Sequence, residues 1–409
     1  MNSLEQLEEA EQALLTIFSG IDHKVKQNLL RVLTAFRHHS VGAHHFAGVS
    51  GYGHDDLGRD TLDKVFAEIM GAESSAVRVQ FVSGTHAIAC ALFGVLRPGD
   101  EILAVAGAPY DTLEEVIGLR GNNQGSLIEF GITYRQLNLT GEGTIDWQAL
   151  SHGIEDKTRL VLIQRSCGYS WRSSLSIAEI EKIVRSVKQQ NPNTVCFVDN
   201  CYGEFIETQE PTHVGADLIA GSLIKHPGGT IVTAGGYIAG REDLVEAAAC
   251  RLTAPGIGKE GGATFDQLRL LYQGLFLAPQ MVGEAMKGTH LTGYVFDKLG
   301  YAVKPAPFAP RGDVIQAIKL GSPEKLIAFC KAVQKNSPIG SYLDPIPDEM
   351  PGYESKVVMA GGTFIEGSTS EFSADGPLRE PYIAYCQGGT HWTHVAIALE
   401  AAIEAVGNG

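Results

Sequence analysis

The sequence is poor in features that would point to several common classes of protein. Its seven cysteines are scattered, and no CxxC pair occurs among them. This spacing argues against a disulfide framework and a structural zinc site, and it predicts free thiols in a reducing compartment. Basic residues are also few, since 32 lysines and arginines stand against 47 aspartates and glutamates, a formal net charge of −15. So acidic a chain is poorly suited to binding nucleic acid or an anionic membrane surface.

Long hydrophobic runs are missing as well. The most apolar stretch, AIACALFGVL, is about half the length that a helix needs to cross a bilayer. The first residues, MNSLEQLEEAEQALL, are acidic and contain no apolar core of a secretory signal. These features predict a cytoplasmic protein that has no membrane partner.

An alternation of strands and helices fills the middle of the chain. Helical patterns such as THAIACALFGVL and IAEIEKIVRSVKQQ separate short apolar segments that are typical of strands, namely VRVQFV (Val77 to Val82), EILAV, RLVLIQ, VCFVDN, DLIAGSL and TIVTAGGYIAG. Such alternation predicts an α/β protein with a large, mostly parallel sheet that carries helices on both faces.

The composition of the chain changes near residue 290, where proline-rich segments such as YAVKPAPFAPRGD and segments that resemble loops begin. We therefore predict three parts: an N-terminal helical arm over residues 1–50, a large domain over 51–289, and a smaller α+β domain over 290–409.

Polar residues follow three of the predicted strands, and the carboxyl ends of strands are where open α/β sheets bind ligands. Ser83-Gly84-Thr85 leads into a helix whose N-terminus could receive an anion, although an ordinary helix cap would look the same. Asp199 ends an apolar strand, where it is either a turn residue or a buried acid that needs a cation. Lys225 follows DLIAGSLI, so burial could lower its pKa and make it a nucleophile, or its side chain could reach out to water.

Together the three sites fit one cofactor. Pyridoxal 5'-phosphate needs an anion site for its phosphate, an acid beside its pyridine nitrogen and a lysine that forms a Schiff base with its aldehyde. Only a short segment separates Asp199 from Lys225, so their strand ends can be neighbours.

The chain also resembles the fold-type I pyridoxal-phosphate enzymes of cysteine and methionine metabolism. More closely, it is similar to the methionine γ-lyase-like carbon–sulfur lyases that are often labelled aluminium-resistance proteins. The resemblance extends over nearly the whole chain, and it is carried by GYGHDDLGRDTLD, FVSGTHAI, FVDNCYGEF, GSLIKHPGG and SADGPLREPYIAYCQGG.

The resemblance implies a role for each matching position. Lys225 would carry the cofactor, Asp199 would pair with the pyridine nitrogen, and Tyr110 would stack on the ring. The phosphate would be held by Ser83, Gly84, Thr85 and Ser222. Ile224 departs from the family, because a threonine that helps to hold the phosphate usually precedes the lysine.

Other positions would serve the substrate and a neighbouring subunit. Arg379 resembles the arginine that pairs with the substrate α-carboxylate, a task suited to a planar guanidinium. Tyr52 and Arg59 resemble residues that such enzymes lend to a partner's active site, although their spacing is shorter than usual. The resemblance thus implies a homo-oligomer, a dimer of dimers. The role of His54 is open.

These expectations lead to a functional prediction. The protein would be a pyridoxal-phosphate-dependent lyase that eliminates a thiol from a small-molecule amino-acid substrate such as methionine or cystathionine, with Lys225 or Tyr110 as the base. The alternatives are transamination, γ-replacement, or a non-catalytic role in metal tolerance. We predict no metal site, because the pairs His38-His39 and His44-His45 have no carboxylate or cysteine at ligand spacing.

Overall fold

The computed structural model describes residues 3–350 and 353–407. Within them, the larger of two sheets has seven strands in the order β1-β7-β6-β5-β4-β2-β3. These strands, β1 to β7, are Ser74–Arg78, Glu101–Ala104, Thr133–Gln136, Thr158–Gln164, Val195–Asp199, Leu218–Ser222 and Gly236–Gly240.

The larger sheet is mostly parallel, as predicted. Strands β2 to β6 pair in parallel, whereas β7 runs antiparallel to both β1 and β6. Five of its seven strands are buried along their whole length, which suits a sheet with helices on both faces.

Two strand predictions were misplaced. The first of these strands, β1, runs from Ser74 to Arg78 rather than from Val77 to Val82, and Asp63 binds it at Ser75 and Val77. The side-chain carboxylate of Asp63 accepts a hydrogen bond from the Val77 N–H at 2.8 Å, and the backbone carbonyl of Asp63 accepts one from the Ser75 hydroxyl. The segment TIVTAGGYIAG forms a strand only over its last five residues, since its earlier part turns back through left-handed backbone at positions 230 and 235.

The second sheet lies in the C-terminal part of the chain and is entirely antiparallel. Its order is β10-β11-β12-β9-β8. These strands, β8 to β12, are Val303–Lys304, Gln316–Lys319, Val357–Ala360, Ser373–Pro377 and Ile383–Gln387. Helices pack beside this sheet, which confirms the α+β character predicted for the region.

The helices pack around both sheets. None of those in the described residues is both long enough and apolar enough to span a membrane. They are, from α1 to α10, Ser3–His38, Leu57–Met70, Gly84–Val95, Asp111–Ile117, Trp147–Leu150, Ile177–Gln190, Glu242–Leu252, Leu268–Lys298, Pro323–Lys335 and Trp392–Gly407.

The two longest helices, α1 and α8, connect the regions around the two sheets. Helix α8 is continuous through the predicted domain boundary between residues 289 and 290. Helix α1 lies directly against it, so closely that a Cβ on Gly283 would stand 2.3 Å from a methyl carbon of Val25. Leu14 of α1 packs in the core beside the smaller sheet, and Val32 packs in the core of the larger one. The N-terminal arm is thus packed on the body of its own chain.

Candidate active site

A cavity of about 340 Å³ opens where β4, β5 and β6 end, between the two sheets. The larger sheet and its connections supply one wall, and the C-terminal sheet supplies the opposite wall. Of the positions that the sequence singled out, the cavity is lined by Ser83, Gly84, Thr85, Tyr110, Asp199, Ser222, Ile224 and Lys225. The three segments that the sequence singled out therefore meet at one place, although β1 ends at Arg78, before the turn that contains Ser83.

One corner of the cavity is the N-terminus of α3. Ser83 caps this helix by accepting a hydrogen bond from the His86 N–H at 3.2 Å. Gly84 lies so close to the end of β6 that an added Cβ would stand 3.1 Å from both Cys201 Sγ and Ser222 Cβ. Gly84 and Thr85 of the first turn line the cavity, and the free N–H groups of a helix N-terminus attract an anion such as a phosphate.

Asp199 and Lys225 lie on neighbouring strand ends, as predicted. Asp199 pairs with Ala220 across β5 and β6, five residues before the lysine. Burial raises the pKa of Asp199, while the Cys201 N–H that donates to its carboxylate at 3.1 Å and the nearby Lys225 act in the opposite direction. The acid therefore faces a cation at the bottom of the cavity.

The electrostatic prediction for Lys225 was wrong. Burial alone lowers the pKa of this lysine, but Tyr202, Cys201 and Asp199 outweigh burial, so the net shift is upward. Without a cofactor, Lys225 is an ammonium ion whose Nζ lies 3.7 Å from the centre of the Tyr202 ring. The amine thus becomes a nucleophile only after it transfers its proton to another group.

Cys201 and Tyr202 were not singled out from the sequence, although both belong to the motif FVDNCYGEF. Both line the cavity, and Tyr202 adopts left-handed backbone with a φ of 69°. Their position two and three residues after Asp199 was the available signal, because residues that follow a strand end tend to share its site.

Tyr110 lies at the start of α4, with its hydroxyl 3.4 Å from Thr85 Oγ1. Its N–H donates to Gln164 Oε1 at 3.0 Å, which fixes the residue beside the end of β4. Burial and the neighbouring Asp199 hold the pKa of the Tyr110 hydroxyl well above its usual value. The side chain is thus a protonated hydroxyl at neutral pH.

A buried polar network lies behind Lys225. Glu204 Oε1 accepts a hydrogen bond from the Tyr237 hydroxyl at 2.7 Å, and Nδ1 of His226 lies 3.1 Å from the Glu204 carbonyl oxygen. Burial raises the pKa of Glu204 to about 8 and lowers the pKa of His226 to about 3. Both side chains are therefore neutral in the folded protein at pH 7.

The wall formed by the C-terminal sheet contains residues that the sequence analysis missed. Asp375 on β11 and Tyr385 on β12 line the cavity together with Tyr169 and Tyr353. Both Asp375 and Tyr385 lie within the motif SADGPLREPYIAYCQGG, and they lie directly opposite each other on paired strands, so they share one face of the sheet. The alternation of side chains between the two faces of each strand was the signal that could have identified them.

Arg379 comes from the same motif, but the structure does not bring it to the cavity. It lies exposed on the turn between β11 and β12, outside the lining residues. Its charge reaches the site only indirectly, by opposing the rise that burial causes in the pKa of Tyr385. Its pairing with a substrate carboxylate stays a prediction.

Tyr52 and Arg59 also lie outside the cavity of their own chain. Tyr52 is 83% exposed, and its ring lies 5.7 Å from that of His54. Arg59 is fully buried; it pairs with Asp60 at 2.9 Å and donates hydrogen bonds to the carbonyls of Gly53 and Gly262. Arg59 thus fixes the loop that presents Tyr52 and has no side-chain atom free for a neighbour.

The histidine pairs occupy different settings. Glu68 of α2 lies 2.7 Å from His38 Nδ1 and 2.9 Å from His39 Nε2, so the carboxylate that the sequence spacing did not reveal is present in the fold. The contacts of Glu68 with the two imidazole rings account for this surface cluster, and we assign no metal to it. His45 Nδ1 accepts a hydrogen bond from the Gly42 N–H at 3.0 Å.

The cavity suits a ligand with an anionic group, a basic ring nitrogen and an electrophilic carbon. Because Gly84 has no side chain, a phosphate can come close to the backbone at the N-terminus of α3. Asp199 offers a buried carboxylate for a protonated ring nitrogen, and Lys225 offers an amine to the electrophile. The residues present thus fit pyridoxal 5'-phosphate.

Comparison with known proteins agrees with this geometry. A family model described as methionine gamma-lyase matches residues 3–407. The chain is 49% identical over 399 residues to the uncharacterized protein YnbB of Bacillus subtilis, covering 97% of this chain and 95% of that one. It is 27% identical over 209 residues, about half of each chain, to the L-methionine gamma-lyase of Pseudomonas putida.

Solved structures give the same result. A carbon–sulfur lyase involved in aluminium resistance from Clostridium novyi superimposes with a TM-score of 0.94 at 47% identity, covering 98% of this chain and 95% of that one. The pyridoxal-5'-phosphate-dependent protein YhfS of Escherichia coli, at 17% identity and a TM-score of 0.61, shares the fold over 93% of this chain and 96% of its own. The chain belongs to the methionine γ-lyase family, and its cofactor is pyridoxal 5'-phosphate.

Proposed function

We propose that the protein is a carbon–sulfur lyase that eliminates a thiol from the β or γ carbon of a sulfur-containing amino acid such as methionine or cystathionine. The other products would be a 2-oxo acid and ammonia. The observation that carries the proposal is the convergence of Asp199, Lys225 and the α3 N-terminus in one cavity. When bound there, pyridoxal phosphate supplies an electron sink for the substrate α-carbon.

The cofactor would be held by residues from three elements. The phosphate would accept hydrogen bonds at the α3 N-terminus from Gly84 and Thr85, with the Ser222 hydroxyl beside them. Asp199 would keep the ring nitrogen protonated, and the Tyr110 ring would cover one face. Ile224 has no hydroxyl to offer, so this chain would hold the phosphate without the donor that usually precedes the lysine.

The proton from the substrate α-carbon would be taken by Lys225. Tyr110 is the less suitable base, because burial and Asp199 hold its hydroxyl in the protonated form. Lys225 would act as the neutral amine, and its Nζ lies 3.7 Å from the centre of the Tyr202 ring, within the cavity. General base catalysis needs such a group within hydrogen-bond reach of the proton that it removes.

The active unit would be an oligomer, a dimer of dimers in which Tyr52 reaches the site of a neighbouring subunit. Hydrogen bonds from the Gly262 N–H to Tyr52 O and from Gln80 to Ala263 O join the loops around residues 52, 80 and 263. These loops leave three apolar side chains exposed: Tyr52 at 83%, Val82 at 81% and Phe265 at 68%. Exposed apolar groups on adjoining loops are typical of a protein interface.

A panel of sulfur-containing and other amino acids tests the proposed activity. The purified protein, loaded with pyridoxal phosphate, should release thiol, ammonia and 2-oxo acid from at least one thioether amino acid. Lys225→Ala should abolish both this release and the visible absorption band of the bound cofactor. Formation of 2-oxo acid only when a second 2-oxo acid is present as acceptor would instead identify an aminotransferase and contradict the proposal.

A further inference from the structure

The cavity wall opposite Lys225 presents an acid where a substrate-binding cation was expected. Asp375 lies opposite Tyr385 on one side and opposite Met359 on the other, so the three side chains share the face that lines the cavity. Arg379, the cation expected from this motif, is exposed on the turn beyond the strand. The substrate therefore meets a carboxyl group on this side.

The charges of the lining residues are unbalanced. In the described part of the chain, the lining contains the carboxylates Asp111, Asp199 and Asp375, and Lys225 is its only lysine or arginine. Asp111 lies 3.7 Å from Arg120, which is outside the lining, and Asp199 is the acid that would pair with the ring nitrogen of the cofactor. Asp375 is left with Lys225 as the single cation that acts on it.

That cation is also the residue that would hold the cofactor, so its charge is not available to Asp375 alone. Asp375 itself is only 8% exposed. Burial raises the pKa of Asp375 to about 7, and the hydrogen bond from the Tyr169 hydroxyl offsets only part of this effect. A buried carboxylate without a cation is unfavourable, so a ligand that supplies a positive charge gains free energy there.

The surroundings of Asp375 suit an ammonium group. The Tyr169 ring lies 5.6 Å from the Tyr353 ring and 5.1 Å from the Tyr385 ring. Three aromatic rings beside a carboxyl group can bind a cation in two ways, through the faces of the rings and through the negative charge of the carboxylate. A substrate carboxylate placed against Asp375 itself would be repelled by the like charge.

We propose that Asp375 and the three tyrosines bind a second, distal ammonium group of the substrate. This inference rests on the proposed carbon–sulfur lyase activity and narrows its substrate class. The α-amino group of the substrate must face the cofactor, so it cannot reach the opposite wall at the same time. A thioether with amino-acid groups on both sides of sulfur, as in cystathionine, carries a second ammonium that can.

Two ligands that differ only in that ammonium test the proposal. L-Cystathionine carries it, and S-(3-carboxypropyl)-L-cysteine has the same skeleton without it. Dissociation constants are measured from the change in the visible absorption band of the loaded enzyme, which requires no turnover. The wild type should bind cystathionine about 10- to 100-fold more tightly, since a hydrogen bond to a charged group is worth about 1.5–3 kcal/mol.

Asp375→Asn should remove this preference. Tyr169→Phe keeps both the carboxylate and an aromatic ring, so it should retain most of the preference at a pH high enough to ionise Asp375. Equal binding of the two ligands by the wild type, no spectral response to either, or an undiminished preference in Asp375→Asn would each overturn the proposal. The wild-type comparison decides the question even if the variant does not fold.

Product release is measured in the same samples and tests the lyase activity separately. Selective binding without thiol release would leave the Asp375 assignment standing and remove the proposed reaction. Equal losses of turnover for both ligands in Asp375→Asn, with unchanged dissociation constants, would make Asp375 a proton donor to the leaving group and overturn its role in recognition.

Discussion

Replacing Gly84 with alanine should weaken cofactor binding while leaving the fold largely intact. The added methyl group would stand 3.1 Å from Cys201 Sγ and from Ser222 Cβ, whereas ordinary contacts between carbon atoms are about 3.5–4.0 Å. The first turn of α3 must therefore move by about 0.5 Å, away from the end of β6. Its N–H groups would then no longer converge on one point.

Overpacking of this kind costs about 1–3 kcal/mol. If the whole cost falls on the bound state, pyridoxal phosphate should bind roughly 5- to 150-fold more weakly, because 1.4 kcal/mol corresponds to a factor of ten. Titration of the cofactor-free protein, followed by visible absorbance, gives the dissociation constant. Thermal unfolding without cofactor then gives the share of the cost that falls on the fold.

Gly20→Ala is a matched control. It makes the same chemical change within α1, at a position where an added Cβ would have no neighbour within 4 Å. This control should leave cofactor affinity unchanged and stabilise the fold by about 0.5–1 kcal/mol. If Gly84→Ala bound the cofactor as tightly as the wild type and melted at the same temperature, the close approach of α3 would not matter to the site.

Two further changes address the structure around the cavity. Because the pKa of Glu204 is raised to about 8, its contribution to stability is complete below its usual pKa of 4.5 and is lost as pH rises toward 8. The free energy of unfolding of the wild type should therefore fall by about 2–4 kcal/mol relative to Glu204→Gln between about pH 5 and about pH 8; a constant difference would contradict this. Arg59→Lys should destabilise the protein by about 2–4 kcal/mol in chemical denaturation, because an ammonium cannot reach the carbonyls of Gly53 and Gly262 together with Asp60. A loss below about 0.5 kcal/mol, the usual range for surface substitutions, would show that Arg59 does not hold the loop.

Apolar strands followed by a single polar residue were the most informative part of the sequence. Strands β5 and β6 are short and almost wholly apolar, so both the parallel sheet and the adjacency of Asp199 and Lys225 could be predicted from local pattern. The start of β1 could not, because serine is not among the residues enriched in strands, and because the strand is bound at Ser75 and Val77 by Asp63, which is distant in sequence.

The functional residues of the C-terminal sheet were harder to predict. The motif that contains them can be recognised, but its only arginine is Arg379, which resembles the substrate-binding arginine of the family. Strand register decides which side chains face the cavity, and β11 and β12 were not identified as a pair. The electrostatic environment of Lys225 was equally hidden, because it depends on how closely Tyr202 and Cys201 approach in three dimensions.

Helices α1 and α8 limit how the molecule can move. Each buries side chains in both hydrophobic cores, so swinging one sheet away from the other would shear apolar packing along both helices at once. We therefore expect reactants to enter through small excursions of surface segments rather than through a wide hinge. The distance between Lys225 and Asp375 would then stay nearly constant. The site would select molecules by the distance between their two charged ends.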